Sequence, residues 1–145
     1  MHLLTAFILL IFLSSSASAE IPPTIDLKVS GHTLSAEVAY KKESRIRGLM
    51  YRNSMEKNSG MLFVFPEVAI HSMWMINTYI PLSIAFLDKN GIILNIIDML
   101  PHTRTKHSAA SKAKYALEMN LGWFSAKNIK AGKKITGLEK APNAE

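Results

Sequence analysis

The segment LSIAFLDKNGIILNII, residues 82–97, predicts a β-hairpin. Two apolar runs, 82–87 and 92–97, flank a polar tetrapeptide that ends in Asn90-Gly91. Because Asn-Gly adopts the positive φ angles of a tight turn with little strain, the two runs are expected to pair as antiparallel strands.

Short strand-like segments continue on both sides of this hairpin. Residues 25–29 and 34–38 alternate apolar and polar side chains, which indicates an N-terminal strand pair within residues 20–40. Residues 61–65 are continuously apolar between a glycine and a proline, as is typical of a strand buried on both faces. Further strands are predicted at 71–76, 113–119 and 134–136.

Helical signals are few. An amphipathic pattern over residues 41–50 predicts a short helix that ends near Gly48, and residues 122–128 are expected to form a single helical turn. Many short strands with one or two short helices predict a single, mostly β domain over residues 20–140, either a β-sandwich or a small barrel. Residues 141–145 are expected to be a frayed tail.

The first nineteen residues, 1–19, have the pattern of a secretory signal peptide. The apolar run from Leu3 to Leu13 is too short for a membrane-spanning helix, which needs about 20 residues. Small residues at 17 and 19 predict cleavage between Ala19 and Glu20, and the mature domain is then expected in the periplasm or outside the cell. Since no Lys or Arg precedes the run, an uncleaved N-terminal anchor is the alternative.

The composition limits the chemistry of this domain. The 145 residues include no cysteine, which excludes disulfides, thiolate metal sites and cysteine nucleophiles. A net charge of +6 favours anionic partners, such as an envelope polymer, a small anion or the surface of an anionic membrane. No RNA-binding motif or recognition helix accompanies the charge, so nucleic acid is not expected as a partner. The sequence leaves the oligomeric state open.

Trp74, Asn77 and Thr78 form the first candidate ligand site. An indole ring offers a stacking face for a sugar or another flat group, and an amide offers paired hydrogen bonds. In the alternative, Asn77 and Thr78 stabilise a turn before Pro81, and Trp74 belongs to the core.

Arg45, Arg47 and Arg52 flank residues 48–50 and supply positive charge. The planar guanidinium fork binds a carboxylate or a phosphate through two hydrogen bonds, and Glu118 could pair with one of the three arginines. Together with Trp74 and its neighbours, these residues predict a binding site for a small or polymeric ligand that is anionic or sugar-like. The alternative is a solvated helix face that is clamped to the sheet.

His71, Met73 and Met75 are candidate copper ligands. Strand periodicity would place them on one face, and thioether sulfur with imidazole favours Cu(I). The chain contains eight methionines, but methionine also fills gaps in hydrophobic cores, so packing is the alternative. A periplasmic Cu(I) carrier is therefore the second functional hypothesis, whereas the first predicts no cofactor.

A third hypothesis is a hydrolase of envelope material that uses Glu118 or a histidine. The sequence has no G-x-S-x-G, H-E-x-x-H or G-x-x-x-x-G-K-[ST] motif, so a non-catalytic function is favoured. The acid–base and nucleophile candidates are His71, His102, His107, Asp98, Glu118, Ser72, Ser83 and Ser108.

Three motifs follow one another in the chain: RIRGLMYR at 45–52, GMLFVF at 60–65 and WMINT at 74–78. Together with the Asn-Gly hairpin, they resemble the domain of unknown function 192 family, a group of small and commonly exported prokaryotic proteins. The resemblance spans roughly residues 40–135.

The resemblance implies a jelly-roll-like β-sandwich and no established activity. The chain differs from the family pattern at Ile76, where the family usually has a lysine, and at Ser83, where it usually has an aspartate. If those charged groups serve a ligand in the family, this member is expected to bind a different one.

Overall fold

A computed structural model describes residues 20–145, so the predicted signal peptide lies outside the described residues. The strands are β1 (Thr24–Val29), β2 (His32–Ala39), β3 (Ser59–Ala69), β4 (Ser72–Met73), β5 (Leu82–Leu87), β6 (Ile93–Met99), β7 (His107–Ser108) and β8 (Ala113–Asn120). The helices are α1 (Lys42–Arg47), α2 (Trp123–Ala126) and a 3-10 turn at Leu138–Lys140. None of these described helices has the length and apolar character that a membrane span needs.

Six strands form one mixed sheet in the order β1-β2-β3-β8-β5-β6, and β4 pairs with β7 in a separate two-stranded sheet. β2 and β3 are parallel, and their neighbours in the large sheet are antiparallel. Parallel neighbours need a crossover connection, which the segment containing α1 supplies. The prediction of a mostly β, sandwich-like domain is confirmed, whereas the barrel alternative is wrong because β1 and β6 lie at opposite edges of an open sheet.

The central strands bury side chains on both faces of the large sheet. In β3, Leu62 and Val64 belong to one hydrophobic cluster, which α2 also joins, while Phe63 and Phe65 belong to a second. We call the face that carries Phe63 and Phe65 the cleft face. Burial on both faces explains why residues 61–65 are continuously apolar, and it confirms that prediction.

The predicted hairpin forms between β5 and β6. The Asp88 carboxylate accepts hydrogen bonds from the backbone N–H groups of Asn90 and Ile92, at 2.8 and 2.9 Å. Gly91 has a φ of +82°, and a Cβ atom there would lie 2.5 Å from the carbonyl oxygen of Ile135. The turn therefore requires glycine both for its conformation and for the close approach of the chain.

The strand predicted at 71–76 is wrong in extent. Only Ser72–Met73 form a strand, and the N–H of Met75 donates to the carbonyl oxygen of Thr103 at 3.1 Å instead of to a strand partner. The chain then turns at Asn77, whose φ of +52° lies in the left-handed region that asparagine tolerates better than most residues. The three residues proposed for copper therefore do not alternate along one strand.

The C-terminal segment also differs from its prediction. Thr136 forms an isolated bridge to Lys28, and Lys134 forms another to Ile92. Because Lys28 and Ile92 lie in different parts of the fold, residues 134–136 do not form a continuous strand ladder with either partner. Residues 141–145, which were expected to fray, contact the domain in the structure, since the N–H of Glu145 donates to the carbonyl oxygen of Tyr40 at 2.8 Å.

Candidate ligand-binding cleft

A cleft of about 490 Å³ opens on the cleft face of the large sheet, bordered by α1, β3 and the β4 segment. Leu49, Phe63 and Phe65 are buried along it and form an apolar floor. Met73 and Trp74 line it from the β4 side. An apolar lining with a few polar groups is typical of clefts that bind small molecules.

Trp74 is the exposed aromatic side chain of this cleft. It follows β4, and 49% of its surface is exposed, so the alternative that placed it in the core is wrong. Its ring is available for stacking against a flat ligand group. Thr78 also lines the cleft, but it is buried and its hydroxyl donates to the carbonyl oxygen of Ile76 at 3.1 Å.

Four cationic side chains border the cleft: Lys42, Arg45 and Arg47 from α1, and Lys106 from the loop before β7. Within residues 20–145, none of the four forms a salt bridge, and the single acidic residue that lines the cleft is Glu118. An excess of unpaired positive charge around a low-dielectric cleft attracts anions.

Arg45 is engaged by the fold rather than free for a ligand. Its Nη1 donates to the carbonyl oxygens of Tyr40 and Val64, the second at 3.2 Å, and its Nη2 donates to the main-chain oxygen of Glu145 at 2.8 Å. The helix ends at Gly48, as predicted, and leaves Arg47 exposed in its last turn. Arg47 is therefore the arginine whose guanidinium is available at the cleft.

Glu118 is buried at the base of the cleft, with 3% of its surface exposed. In β8, Leu117 belongs to the first cluster and Ala116 to the second, so the alternation of the strand turns Glu118 to the cleft face. Burial raises the pKa of its carboxyl to about 8, because the apolar surroundings disfavour the ionised form. At neutral pH the side chain is mostly protonated and uncharged.

Two predicted ligand residues lie away from this cleft. Arg52 forms a bidentate ion pair with Glu37, with both N–O distances 2.7 Å, beside a second cleft of about 800 Å³. One of the three arginines does pair with a glutamate, but that glutamate is Glu37. The predicted partner, Glu118, forms no ion pair with an arginine within the described chain. Asn77 lies in an exposed turn, but its amide donates to the Tyr51 hydroxyl at 3.0 Å and not to the backbone of that turn.

The three candidate copper ligands lie in different environments. His71 stacks on Phe65 with ring centroids 3.8 Å apart, and its Nε2 lies 2.8 Å from the carbonyl oxygen of Glu67. Met75 is a core residue with 1% of its surface exposed, so Met73 is the candidate that lines the cleft. No group of three or more His, Cys, Asp or Glu side chains within residues 20–145 is arranged to hold a metal ion.

Several cleft residues were not identified from the sequence as parts of a site. Lys106 belongs to a basic loop far along the chain from Trp74, and the pairing of β4 with β7 brings the two together. Phe63 and Phe65 carry the signal of a buried strand, which does not distinguish the floor of a cleft from an ordinary core. No local pattern could have identified these positions.

A comparison with known protein families identifies the relatives of this fold and site. Residues 25–137 match the model of DUF192, which is described as an uncharacterized ACR. The chain belongs to the DUF192 family. The match spans the whole cleft, from α1 to β8. No curated protein matches the chain.

Two solved structures extend this DUF192 comparison. A proposed transcription regulator from Sinorhizobium meliloti 1021 is 31% identical, with a TM-score of 0.78 over 81% of this chain and 96% of that one. A protein of unknown function from Novosphingobium aromaticivorans DSM 12444 is 28% identical, with a TM-score of 0.75 over 83% of this chain and 93% of that one. The fold is shared along nearly the full length of both proteins.

Ile76 and Ser83, where the resemblance implied charged residues, lie outside the residues that line the cleft. Ser83 is buried in β5, where its hydroxyl donates to Asp98 at 2.6 Å and accepts the N–H of Gly122 at 2.9 Å. It therefore joins β6 to the segment that leads into α2. Ile76 lies in the turn before Asn77.

Proposed function

We propose that this DUF192 protein is an exported binding domain whose cleft holds an anionic ligand with a flat or sugar-like ring. The observation that carries the proposal is the meeting of three features in one cleft: the exposed ring of Trp74, the unpaired cations Arg47 and Lys106, and the buried polar group of Glu118. Export rests on the pattern of residues 1–19.

The cations of the cleft can bind the anionic group of such a ligand, and its apolar surface can contact the ring. Arg47 is exposed at the cleft, where it can form a bidentate bond to a carboxylate or phosphate without first breaking an ion pair. The rings of Trp74, Phe63 and Phe65 offer apolar surface to the body of the ligand. An uncharged ligand would leave the cations unused, and a small inorganic anion would leave the aromatic surface unused.

The geometry favours binding over the copper alternative and over a hydrolase with Ser72 as its nucleophile. Met75 is buried, and His71 stacks on Phe65 outside the residues that line the cleft, so the structure does not bring the three copper candidates together there. Ser72 lines the cleft, but its hydroxyl shares a 2.7 Å hydrogen bond with the hydroxyl of Ser108 rather than with a general base.

The binding test uses the two indole N–H resonances in a ¹H–¹⁵N NMR titration, because the chain has only two tryptophans. Trp74 reports on the cleft, and Trp123, buried in the first cluster, is the internal control. Benzoate and glucuronate are expected to shift the Trp74 resonance at concentrations where neutral benzamide and glucose do not. Failure of both anions to shift it would overturn the proposal.

Arg47→Ala and Arg104→Ala form a matched pair for the role of charge. Both remove one exposed arginine, but Arg104 does not line the cleft. Loss of a charge-assisted hydrogen bond is expected to weaken benzoate binding about tenfold in Arg47→Ala and to leave Arg104→Ala unchanged. Equal weakening in the two variants would show a general effect of net charge and count against this site.

Export and signal-peptide cleavage are tested by measuring the mass of the exported protein. The mass of the protein recovered from the periplasm of a producing bacterium is expected to correspond to a chain that begins at Glu20. An intact chain that begins at Met1 and stays in the cytoplasm would contradict this part of the proposal.

A further inference from the structure

The carboxyl of Glu118 is a polar group without a protein partner at the base of an apolar cleft. It is 3% exposed, and no side-chain hydrogen bond joins it to another residue within the described part of the chain. Its neighbours across the sheet, Met61 in β3 and Ile84 in β5, are apolar. A polar group that lacks a protein partner in apolar surroundings has lost most of its hydration, so a ligand atom that can pair with it is favoured at this position.

The charged groups that face Glu118 across the cleft are all cationic. α1 contributes Lys42, Arg45 and Arg47, and the loop before β7 contributes Lys106. None of them forms an ion pair with Glu118 within residues 20–145. The guanidinium of Arg45 is held by backbone oxygens.

Desolvation decides the protonation state of Glu118. Because no charge or hydrogen bond offsets the cost of burying the ionised form, the pKa of the carboxyl rises to about 8. Near neutral pH, Glu118 is therefore a neutral acid that holds one O–H donor toward the cleft.

We propose that Glu118 donates this hydrogen bond to a neutral oxygen of the bound ligand, so that the ligand carries a carbonyl or ether oxygen at its buried end and its negative charge at the mouth of the cleft. The inference rests on the proposed function, and it defines the ligand more narrowly. Arg47 and Lys106 are exposed, so they compensate charge at the mouth. A carboxylate or phosphate placed on the apolar floor would lose its hydration without an equivalent partner.

The donor disappears when Glu118 ionises. A carboxylate has no proton to donate, and its charge repels an electron-rich ligand oxygen. Binding of a ligand with such an oxygen is therefore strongest below the pKa of Glu118 and falls as the pH rises through it.

The test compares two anions of nearly the same shape, 4-acetylbenzoate and 4-isopropylbenzoate. The first has a carbonyl oxygen opposite its carboxylate, and the second has an apolar branch there. In the wild-type protein at pH 6, the acetyl compound is expected to bind about fivefold to tenfold more tightly, the value of one hydrogen bond. At pH 9.5 this preference is expected to vanish, and 4-isopropylbenzoate controls for any pH effect on the cations.

Two variants separate hydrogen bonding from shape. Glu118→Gln keeps a donor that does not titrate, so its preference for 4-acetylbenzoate is expected to persist from pH 6 to pH 9.5. Glu118→Leu removes the donor, so the two compounds are expected to bind equally at every pH. If Glu118→Leu fails to fold, a preference of Glu118→Gln for 4-acetylbenzoate that persists from pH 6 to pH 9.5 is enough to support the role of Glu118 as a hydrogen-bond donor.

Three results would overturn the role of Glu118. They are equal wild-type affinity for the two compounds at pH 6, a wild-type preference that is unchanged at pH 9.5, and a preference that survives in folded Glu118→Leu. If both compounds bind equally and still depend on Arg47, the proposed function stands and only the role of Glu118 fails. If neither compound binds, the proposed function fails with it.

Discussion

Replacing Glu118 by glutamine is expected to stabilise the domain increasingly as the pH rises. Glutamine has nearly the same shape as a protonated glutamate but cannot ionise, so it avoids burying a carboxylate in the apolar base of the cleft. In the wild-type protein, folding raises the pKa of Glu118 from its ordinary value of 4.5 to about 8. The folded state therefore holds this proton more tightly than the unfolded state does.

The size and direction of the effect follow from this difference. Below pH 4.5 the carboxyl is protonated in both states, and the two proteins should differ little in free energy of unfolding. Between pH 4.5 and 8 the unfolded state has released the proton and the folded state has not, so the wild type loses about 1.4 kcal/mol per pH unit relative to the variant. Above pH 8 the difference levels off at about 5 kcal/mol.

Urea unfolding at pH 4, 7 and 9 measures this difference directly. The midpoint of Glu118→Gln should exceed that of the wild type by an amount that is small at pH 4, corresponds to about 3 kcal/mol at pH 7 and is largest at pH 9. Glu139→Gln, at an exposed position, controls for the removal of one carboxylate. A stability difference between Glu118→Gln and the wild type that stays constant from pH 4 to pH 9 would refute the reasoning.

Two further predictions concern the fold around the cleft. Gly91→Ala should lower the free energy of unfolding by more than about 2 kcal/mol, because its Cβ would lie 2.5 Å from the carbonyl oxygen of Ile135. Gly132 has a similar φ but open space around it, so Gly132→Ala should cost only about 1 kcal/mol. Equal losses of stability in thermal unfolding of the two variants would contradict the packing argument. Arg52→Ala should cost at most about 1 kcal/mol at pH 7, since its ion pair with Glu37 is partly exposed. The hydrogen bond from Arg52 lowers the pKa of Glu37, so this loss should disappear as the pH falls below 4.5 through that lowered pKa, and a loss that persists in acid would exclude the ion pair as its cause.

The local elements of this fold were predictable because each depends on neighbouring residues. The Asn-Gly turn shows in the sequence through its own backbone preference and the Asp88 side chain, although Gly91 also accommodates the distant Ile135, and the run at 61–65 shows as continuous apolar sequence. The segment 71–76 has strand-like alternation too, but Met75 bonds to a distant loop and Asn77 turns the chain. Alternation shows which side chains avoid water, and it does not show which backbone partner is within reach.

The candidate site was predictable in its residue types and only partly in its members. Arg45, Arg47 and Arg52 are equivalent in the sequence, yet the structure engages the first with backbone oxygens and the third with Glu37, which leaves Arg47. Asn77 has the chemistry of a ligand contact, but its amide bonds to Tyr51. Such differences depend on contacts between residues far apart in the chain.

The sequence by itself determined the six strands of the large sheet, the short helix that ends at Gly48 and the membership of the DUF192 family, because periodicity and turn chemistry act over a few residues. Tertiary structure decided the rest. The pairing of β8 between β3 and β5 buries Glu118 away from water and makes it a neutral acid, and the pairing of β4 with β7 brings Lys106 to the same cleft as Trp74. Burial and proximity are properties of the whole packed chain, so they arise only when distant strands come together.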